Sequence, residues 1–411
     1  MGQIELNEAE ELEFQKQWSA LNFGVSEITP EDEFKKMLRH SIKSKTPLRV
    51  KCGIDPTSTD VHLGHTVPYR KMRQFQDFGH IGVVIIGDYT ASIGDPTGKN
   101  ESRPPLDEAQ VKLNAKKYMD QIYTVLDPEK TEVCYQSEWF SEVSLKDVLQ
   151  WAGQTTVAKL LGHDTFKSRL DEGNSLALHE LFYPVLQGID SVYINADVEL
   201  GGTDQRFNVL MGRDYQKNIG KRPQVAMLLP IITGTCGSQK MSKSLNNYIG
   251  ILDEPFDKFG KVMSIPDSLM AEYFKYASGL KHEKIESIIE DIDNNKVHPN
   301  EAKKHLAHVV VSFFHGEETA IKMREQFENV FKKKQIPDEV PEFTLEGDLS
   351  ILDLMTKANL VSSKKEARRM IDQGGVSFVD KDKVQDVNLI VNNEYKNATL
   401  KVGKRKFLKL V

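Results

Sequence analysis

Residues 48–86 carry the pattern that most narrows what this chain can fold into. Leu48–Ile54 alternates as a strand does, Asp55-Pro56-Thr57-Ser58 is turn chemistry, and Val67–Phe78 places Met72, Phe75 and Phe78 at helical spacing. A second apolar run, Val83–Ile86, follows. Strand, helix and strand at this spacing make a βαβ unit, and such units build parallel sheets covered by helices. The loop of the unit holds His62-Leu63-Gly64-His65. It sets both imidazoles at a helix N-terminus, where free backbone N–H groups and the positive end of the dipole attract phosphate. Pro68 is expected in the first turn of that helix, where it costs no hydrogen bond. Gly64 permits close approach, and two imidazoles can serve as donors that strengthen as charge builds on a polyphosphate. Taken alone, the four residues fit equally well a polar pair capping an ordinary helix.

A second signal, Lys240-Met241-Ser242-Lys243-Ser244, supplies two ammonium groups three residues apart on a short loop. Such a loop can close over β- and γ-phosphates and stabilise departing pyrophosphate. Met227–Ile232 before it is expected to be a buried strand, and Thr233–Gly237, with two glycines, a flexible hinge. In isolation this too could be a solvated lysine loop. In this order along one chain, HLGH and KMSKS resemble the two nucleotide-binding signatures of the class I aminoacyl-tRNA synthetases. That resemblance implies ATP as a substrate gripped from two sides.

At 411 residues the chain exceeds one ordinary domain. No apolar run approaches ~18 residues, and the amino terminus has neither a signal peptide nor a myristoylation motif, so no membrane association is expected. Cys52, Cys134 and Cys236 are scattered, without zinc spacing or a disulfide framework, which points to a reducing, cytoplasmic setting. Charge is unevenly spread. Residues 350–411 hold thirteen Lys/Arg against seven Asp/Glu, leaving 41 against 53 in the rest.

The basic tail follows a Pro- and acid-rich stretch, Ile336–Phe343, that reads as a linker. Beyond it, Ile351–Leu360 and Lys364–Gln373 are expected as helices, Gly374-Gly375 as a turn, and Val376–Val379 and Leu389–Val391 as strands of one small sheet. The Ser362–Val376 segment, with Lys364, Lys365, Arg368 and Arg369, resembles the small RNA-binding module shared by a ribosomal small-subunit protein, pseudouridine synthases and bacterial tyrosyl-tRNA synthetases. A basic helix suits a nucleic-acid backbone, although a charge run also suits a solvated face. Between KMSKS and the linker, Leu269–Tyr276, Ile285–Ile292 and Leu306–Phe314 have helical apolar spacing.

Between the two signatures, Tyr183, Gln187 and Asp190 stand at i, i+4 and i+7, so a helix over Leu178–Ser191, kinked at Pro184, aligns them on one stripe. Flanked by Leu181, Val185, Leu186 and Ile189, they can form a pocket floor or be incidental polar positions. With Gly201-Gly202-Thr203-Asp204-Gln205 after it, the stripe resembles the tyrosyl-tRNA synthetases closely. By that resemblance Asp190 accepts from the tyrosine phenol, and Tyr183, Gln187 and Asp95 hold the α-ammonium. Asp204 and Gln205 address the ribose and the reacting carboxylate, with Gly202 beside them. Cys52, Gly53, Asp55 and Thr57 match the strand-loop that holds ribose and phosphates. Thr57 with His62 reaches the γ-phosphate and His65 meets the ribose side. Gly64 and the loop Lys240, Met241, Ser242, Lys243 and Ser244 complete the ATP site. Lys99 and Arg103 match mobile pyrophosphate ligands. One position departs from the pattern: many members carry a tyrosine before Cys-Gly as second partner of the phenol, and here stands Lys51, which a strand still directs toward the pocket, near Asp190.

The resemblance, running from about Leu48 to the end, implies a three-part architecture. Residues 1–250 form a Rossmann-like, doubly wound parallel-sheet α/β catalytic domain with N-terminal helices and an internal connective segment. Residues 251–334 form an α-helical anticodon-binding domain, 335–348 a linker, and 349–411 a small α+β RNA-binding domain. The activity implied is ligation of L-tyrosine to tRNA(Tyr) through tyrosyl-adenylate. Thr57, His62, His65, Lys99, Arg103, Lys240 and Lys243 stabilise the charge that develops, and Mg2+ travels with ATP on its phosphates rather than in a protein metal site. A tryptophanyl-tRNA synthetase and a non-catalytic RNA-binding scaffold are the rivals. A homodimer is also implied, with Trp139, Phe140, Leu145, Val148, Leu149 and Trp151 as apolar surface, unless those six simply fill the core.

Overall fold

The computed structural model describes residues 4–56, 60–93, 108–332, 340–345, 347–379, 383–403 and 406–411. The chain divides into two compact units, one of Met1–Asp253 with Ile265–Leu306, the other of Glu254–Ser264 with Ala307–Val411.

The first unit is built on a six-stranded sheet. Its strands are β1 Glu27–Thr29, β2 Arg49–Ile54, β3 Ile81–Ile86, β4 Thr131–Tyr135, β5 Val198–Gly202 and β6 Val225–Leu229, in the spatial order β1-β6-β5-β2-β3-β4. All neighbours are parallel except the edge pair β1 and β6. β3 and β6 are almost continuously apolar and buried, as strands covered on both faces must be. The chain moves from β2 outward to β4 and then returns to the other flank of β2 at β5. That reversal opens a crevice at the carboxyl ends of β2 and β5, the natural ligand position in such a sheet.

Helices Leu63–Asp77, Tyr183–Tyr193 and Arg206–Asn218 cover the central strands. The last two lie against each other because two glycines remove side chains at the crossing. A Cβ on Gly188 would stand 2.9 Å from the Tyr215 ring, and one on Gly212 would stand 2.6 Å from Ser191 Oγ. Lys71, buried in the Leu63–Asp77 helix, donates to the carbonyls of Ala20, Leu21 and Phe23 and so satisfies the open C-terminal end of helix Glu8–Asn22.

Several local expectations are corrected. The helix after β2 begins at Leu63, so Pro68 lies inside it rather than in its first turn, and has no N–H to give the Gly64 carbonyl. Leu178–Phe182 is a 3-10 turn, and the α-helix starts at Tyr183 with Pro184 in its first turn, so there is no kink and the polar stripe stays straight. β6 stops at Leu229, because Pro230 cannot donate to a ladder.

In the second unit, residues 349–411 have a core of their own, including Ile351, Leu354, Met355, Ile371, Val376, Phe378 and Leu400. Helices Ile351–Lys357 and Lys364–Asp372 accompany two ladders. β7 Glu342–Phe343, β9 Val376–Phe378, β11 Thr399–Val402 and β12 Lys406–Leu410 form one sheet, while β8 Leu349–Ser350 pairs with β10 Ile390–Val391. The strands expected around Val376 and Leu389 therefore sit in different sheets, since β10 is only two residues long and finds its partner in β8.

Candidate active site

The crevice is lined first by the turn after β2 and the start of the Leu63–Asp77 helix. His62 is the N-cap and its ring stacks on His65, with centroids 3.7 Å apart. The His62 backbone N–H donates to His65 Nδ1 at 3.4 Å, which leaves the His65 proton on Nε2. His62 Nδ1 is buried without a hydrogen-bond partner among the described residues, so this ring does not cap the helix with its side chain. Burial, then the neighbouring His65 and Lys243, holds the His62 imidazole down to about 3; burial and Lys243 hold His65 down to about 4. That direction favours neutral rings, which can serve as polar donors rather than cations. At the end of β2, Gly53 faces open space, with nothing within 4 Å of where a Cβ would be. The Cys52 thiol beside it is buried and pushed up to about 12 by that burial.

The stretch Ile249–Ile251 that follows KMSKS is joined to this helix start by backbone. Leu63 N–H donates to Ile249 O at 2.9 Å, Ile251 N–H donates to Val61 O at 3.0 Å, and His62 bridges Gly250. Met241 is buried, and its sulfur accepts the Gly64 N–H at 3.4 Å. Lys243 donates to Asp60 at 2.9 Å. Lys240 and Ser244 are exposed, and the Ser242 and Ser244 hydroxyls lie 2.9 Å apart.

Asn247, which motif reasoning passed over, organises the loop. Its side chain accepts from Ser242 N–H at 2.8 Å and donates to Lys240 O at 3.0 Å, and its carbonyl takes the Thr235 N–H at 2.8 Å. The expected hinge is correspondingly anchored. Thr233 N–H donates to Glu272 and Thr233 O accepts from Tyr273, while a Cβ on Gly234 would stand 2.3 Å from Asn247. Gly234 answers to close approach, and only Gly237 of the pair has a positive φ, +81°.

The polar stripe faces a hydrogen-bonded chain. Asp190 is buried; its carboxylate accepts from Gln136 Nε2 at 2.8 Å and Trp139 Nε1 at 3.2 Å. Burial pushes this carboxyl up to about 7, with Lys51 and the Gln136 hydrogen bond pulling the other way. Gln136 Oε1 accepts from Thr90 N–H at 3.0 Å, the Thr90 hydroxyl meets Asp55 at 2.7 Å, and the Tyr183 hydroxyl donates to Asp55 at 2.9 Å. A continuous polar path thus runs from Asp190 to the loop after β2. Gln136 and Thr90 carried no sequence signal and Trp139 only an apolar one, because they are brought toward Asp190 and Asp55 by the pairing of β2, β3 and β4.

Lys51 does not bond Asp190. Its ammonium donates to Gln187 O at 2.9 Å and Ser191 Oγ at 2.8 Å, and pairs with Glu199 at 3.0 Å. Gly202 and Asp204 lie at the end of β5, where a Gly202 Cβ would meet Asp204 Oδ1 at 2.6 Å. Gln205 Oε1 accepts from Asn208 at 2.9 Å. Thr57, Asp95, Lys99 and Arg103 lie outside the described residues.

In the second unit Lys364, Lys365, Arg368 and Arg369 are exposed on one helix, with Lys364 2.6 Å from Asp353. Ser363 caps that helix through the Glu366 N–H at 3.2 Å. Two lysines in its first turn oppose the helix dipole, an opposition that the Asp353 carboxylate offsets at Lys364.

A family model described as tRNA synthetases class I (W and Y) matches residues 43–332, and one described as the tyrosine–tRNA ligase SYY-like C-terminal domain matches 332–410. The chain is 44% identical over 405 residues to the tyrosine–tRNA ligase of Carboxydothermus hydrogenoformans, covering 97% of this chain and 98% of that protein. It is 45% identical over 401 residues to that of Moorella thermoacetica, covering 97% of each. Among solved structures, the Archaeoglobus fulgidus tyrosyl-tRNA synthetase complexed with L-tyrosine superposes with a TM-score of 0.60 at 22% identity, covering 76% of this chain and 99% of that one, a likeness of fold. With both family models in sequence order and this identity held over nearly the whole length, the chain belongs to the tyrosyl-tRNA synthetase family of class I aminoacyl-tRNA synthetases.

Proposed function

We propose that this crevice carries out the tyrosine–tRNA ligation of the family in two steps. The tyrosine carboxylate oxygen attacks the α-phosphorus of ATP, the bond to the β-phosphate oxygen breaks, and pyrophosphate leaves with the electron pair. The 3′-terminal hydroxyl of tRNA(Tyr) then attacks the tyrosyl carbonyl and displaces AMP. No covalent enzyme intermediate is required, so catalysis rests on positioning and charge stabilisation.

The roles follow the family resemblance, and the geometry of the described residues supports them. Asp190, at the inner end of the polar path, accepts from the phenol; Tyr183 and Gln187 face the α-ammonium with Asp95. Neutral His62 and His65, with Thr57 and Gly64, receive the phosphates and ribose, beside Cys52, Gly53, Asp55, Gly202, Asp204 and Gln205. Lys240 and Lys243 close over the departing pyrophosphate with Lys99 and Arg103. Among the described residues no three His, Cys, Asp or Glu converge as a metal site, so Mg2+ would ride on the triphosphate and water.

The remaining proposals concern partners. The Lys364–Arg369 face binds the tRNA backbone, and the helices between 251 and 334 carry the anticodon end. Leu145, Leu149 and Val157 are 74%, 64% and 63% exposed, while Trp139 and Phe140 are core. The exposed three suit the interface of a homodimer. Among the described residues no helix is long and apolar enough to cross a membrane.

The observation that carries this reading is the path Asp190–Gln136–Thr90–Asp55–Tyr183, which ties the amino-acid pocket to the phosphate loop. ATP–pyrophosphate exchange with a panel of amino acids tests it. Exchange with tyrosine alone is expected. Exchange with tryptophan, or background with every amino acid, would overturn it.

A further inference from the structure

Beneath the polar stripe lies a charged pair that the proposed mechanism does not use. The side chains of Lys51 and Glu199 are 0% and 1% exposed. All three ammonium protons of Lys51 are placed, on Gln187 O, Ser191 Oγ and Glu199 Oε1. Glu199 also accepts from Gln187 Nε2 at 3.0 Å, from Ser191 Oγ at 3.1 Å and from Gln224 Nε2. Gly212 leaves the space for this convergence, since a Cβ there would stand 2.5 Å from Gln224 Nε2.

The consequence is chemical. A carboxylate oxygen meeting an amide takes its N–H, so the part of the Gln187 amide that meets Glu199 has to be the NH2. The amide oxygen of Gln187, a half-buried residue one turn before Asp190, is thereby turned away from Glu199. Reversed, the same amide would present a donor to a cationic group and repel it.

We propose that Lys51 and Glu199 are positioning residues for substrate recognition, locking Gln187 so that it offers an acceptor to the α-ammonium of the bound amino acid. Glu199 sets the amide's direction, and Lys51 holds both the Glu199 charge and the Gln187 carbonyl. The inference rests on Tyr183–Tyr193 being the tyrosine-binding helix.

The test compares two ligands on the full-length protein: L-tyrosine, and 3-(4-hydroxyphenyl)propanoate, which lacks only the α-ammonium. The variants are Glu199→Gln, whose amide no longer dictates which way Gln187 turns, and the double variant Lys51→Met with Glu199→Gln, which buries no lone charge and is read if the single one fails to fold. Tyrosine dissociation constants should rise about tenfold and those of the propanoate should stay unchanged, the loss of a charge-assisted hydrogen bond. At saturating tyrosine, adenylate formation should change less than about twofold, because uniform binding is lost rather than transition-state binding. Equal weakening of both ligands, or unchanged tyrosine binding, overturns the positioning role. Gln187→Ala separates the two levels. If it leaves tyrosine binding intact, the helix assignment itself fails; if it weakens tyrosine while the double variant does not, only the positioning inference fails.

Discussion

At Asp190, burial and hydrogen bonding act in opposite directions. Desolvation pushes the carboxyl up to about 7, while Lys51, Gln136 and Trp139 favour its charged form. A folded-state value above the unfolded one means that its contribution to stability is present below about pH 4 and is lost as pH rises through about 7. Tyrosine binding runs the other way, because the ionised carboxylate is the better acceptor for a phenol. Affinity should therefore rise with pH through about 7, and Asp190→Asn should flatten that profile and weaken tyrosine more than phenylalanine, as titration across this range would reveal. A profile unchanged by the substitution would remove Asp190 from the phenol. Gly87, by contrast, matters for the side chain it lacks. A Cβ there would stand 2.2 Å from Asp55 Oδ1 and 2.4 Å from Thr90 Oγ1. Gly87→Ala should cost about 1–3 kcal/mol in urea unfolding and raise the tyrosine KM, because the polar path must move.

On the scale of elements, the loop from Thr233 to Asn247 is a tethered structure that presents Lys240 to solvent and Lys243 to Asp60. Lysines at such tips act where charge develops, so Lys243→Ala should slow adenylate formation roughly 10–10³-fold with little change in tyrosine affinity. Asn247→Ala leaves both lysines in place and removes the hydrogen bonds that space them. It should slow the same step by about tenfold or more in single-turnover measurements, with the tyrosine dissociation constant unchanged. Wild-type rates in that variant would mean that the loop is shaped by its strand-like flanks alone.

For the whole molecule, the important fact is that residues 349–411 carry a separate core. A chain ending near Leu345 retains every residue proposed to bind ATP and tyrosine. Pyrophosphate exchange should persist in it while tRNA charging falls steeply. Its tRNA binding should also depend less on salt, with the slope of log K against log salt made shallower by about 0.9 for each phosphate that the basic helix no longer neutralises. Equal charging by both chains at physiological salt would show that Lys364, Lys365, Arg368 and Arg369 form a solvated face.

What the sequence determined by itself was whatever a short stretch of chain can encode. The apolar period around Leu48–Ile86 specified a parallel α/β sheet, since only a covered strand tolerates such a run as β3. HLGH, KMSKS and the Tyr183–Asp190 stripe named the chemistry, because spacing along one helix or loop determines which side chains share a face. Tertiary structure alone decided the partners. Gln136 reaches Asp190 across 54 residues and Lys51 reaches Ser191 across 140. Neither pairing has a local signature, for a buried polar group is satisfied by whatever strand order brings beside it. That is why Lys51, expected near the phenol, bonds Glu199 and the Gln187 carbonyl instead: on β2, next to β5, the opposite charge of Glu199 lies within reach, and a buried ammonium is stable only against such a partner.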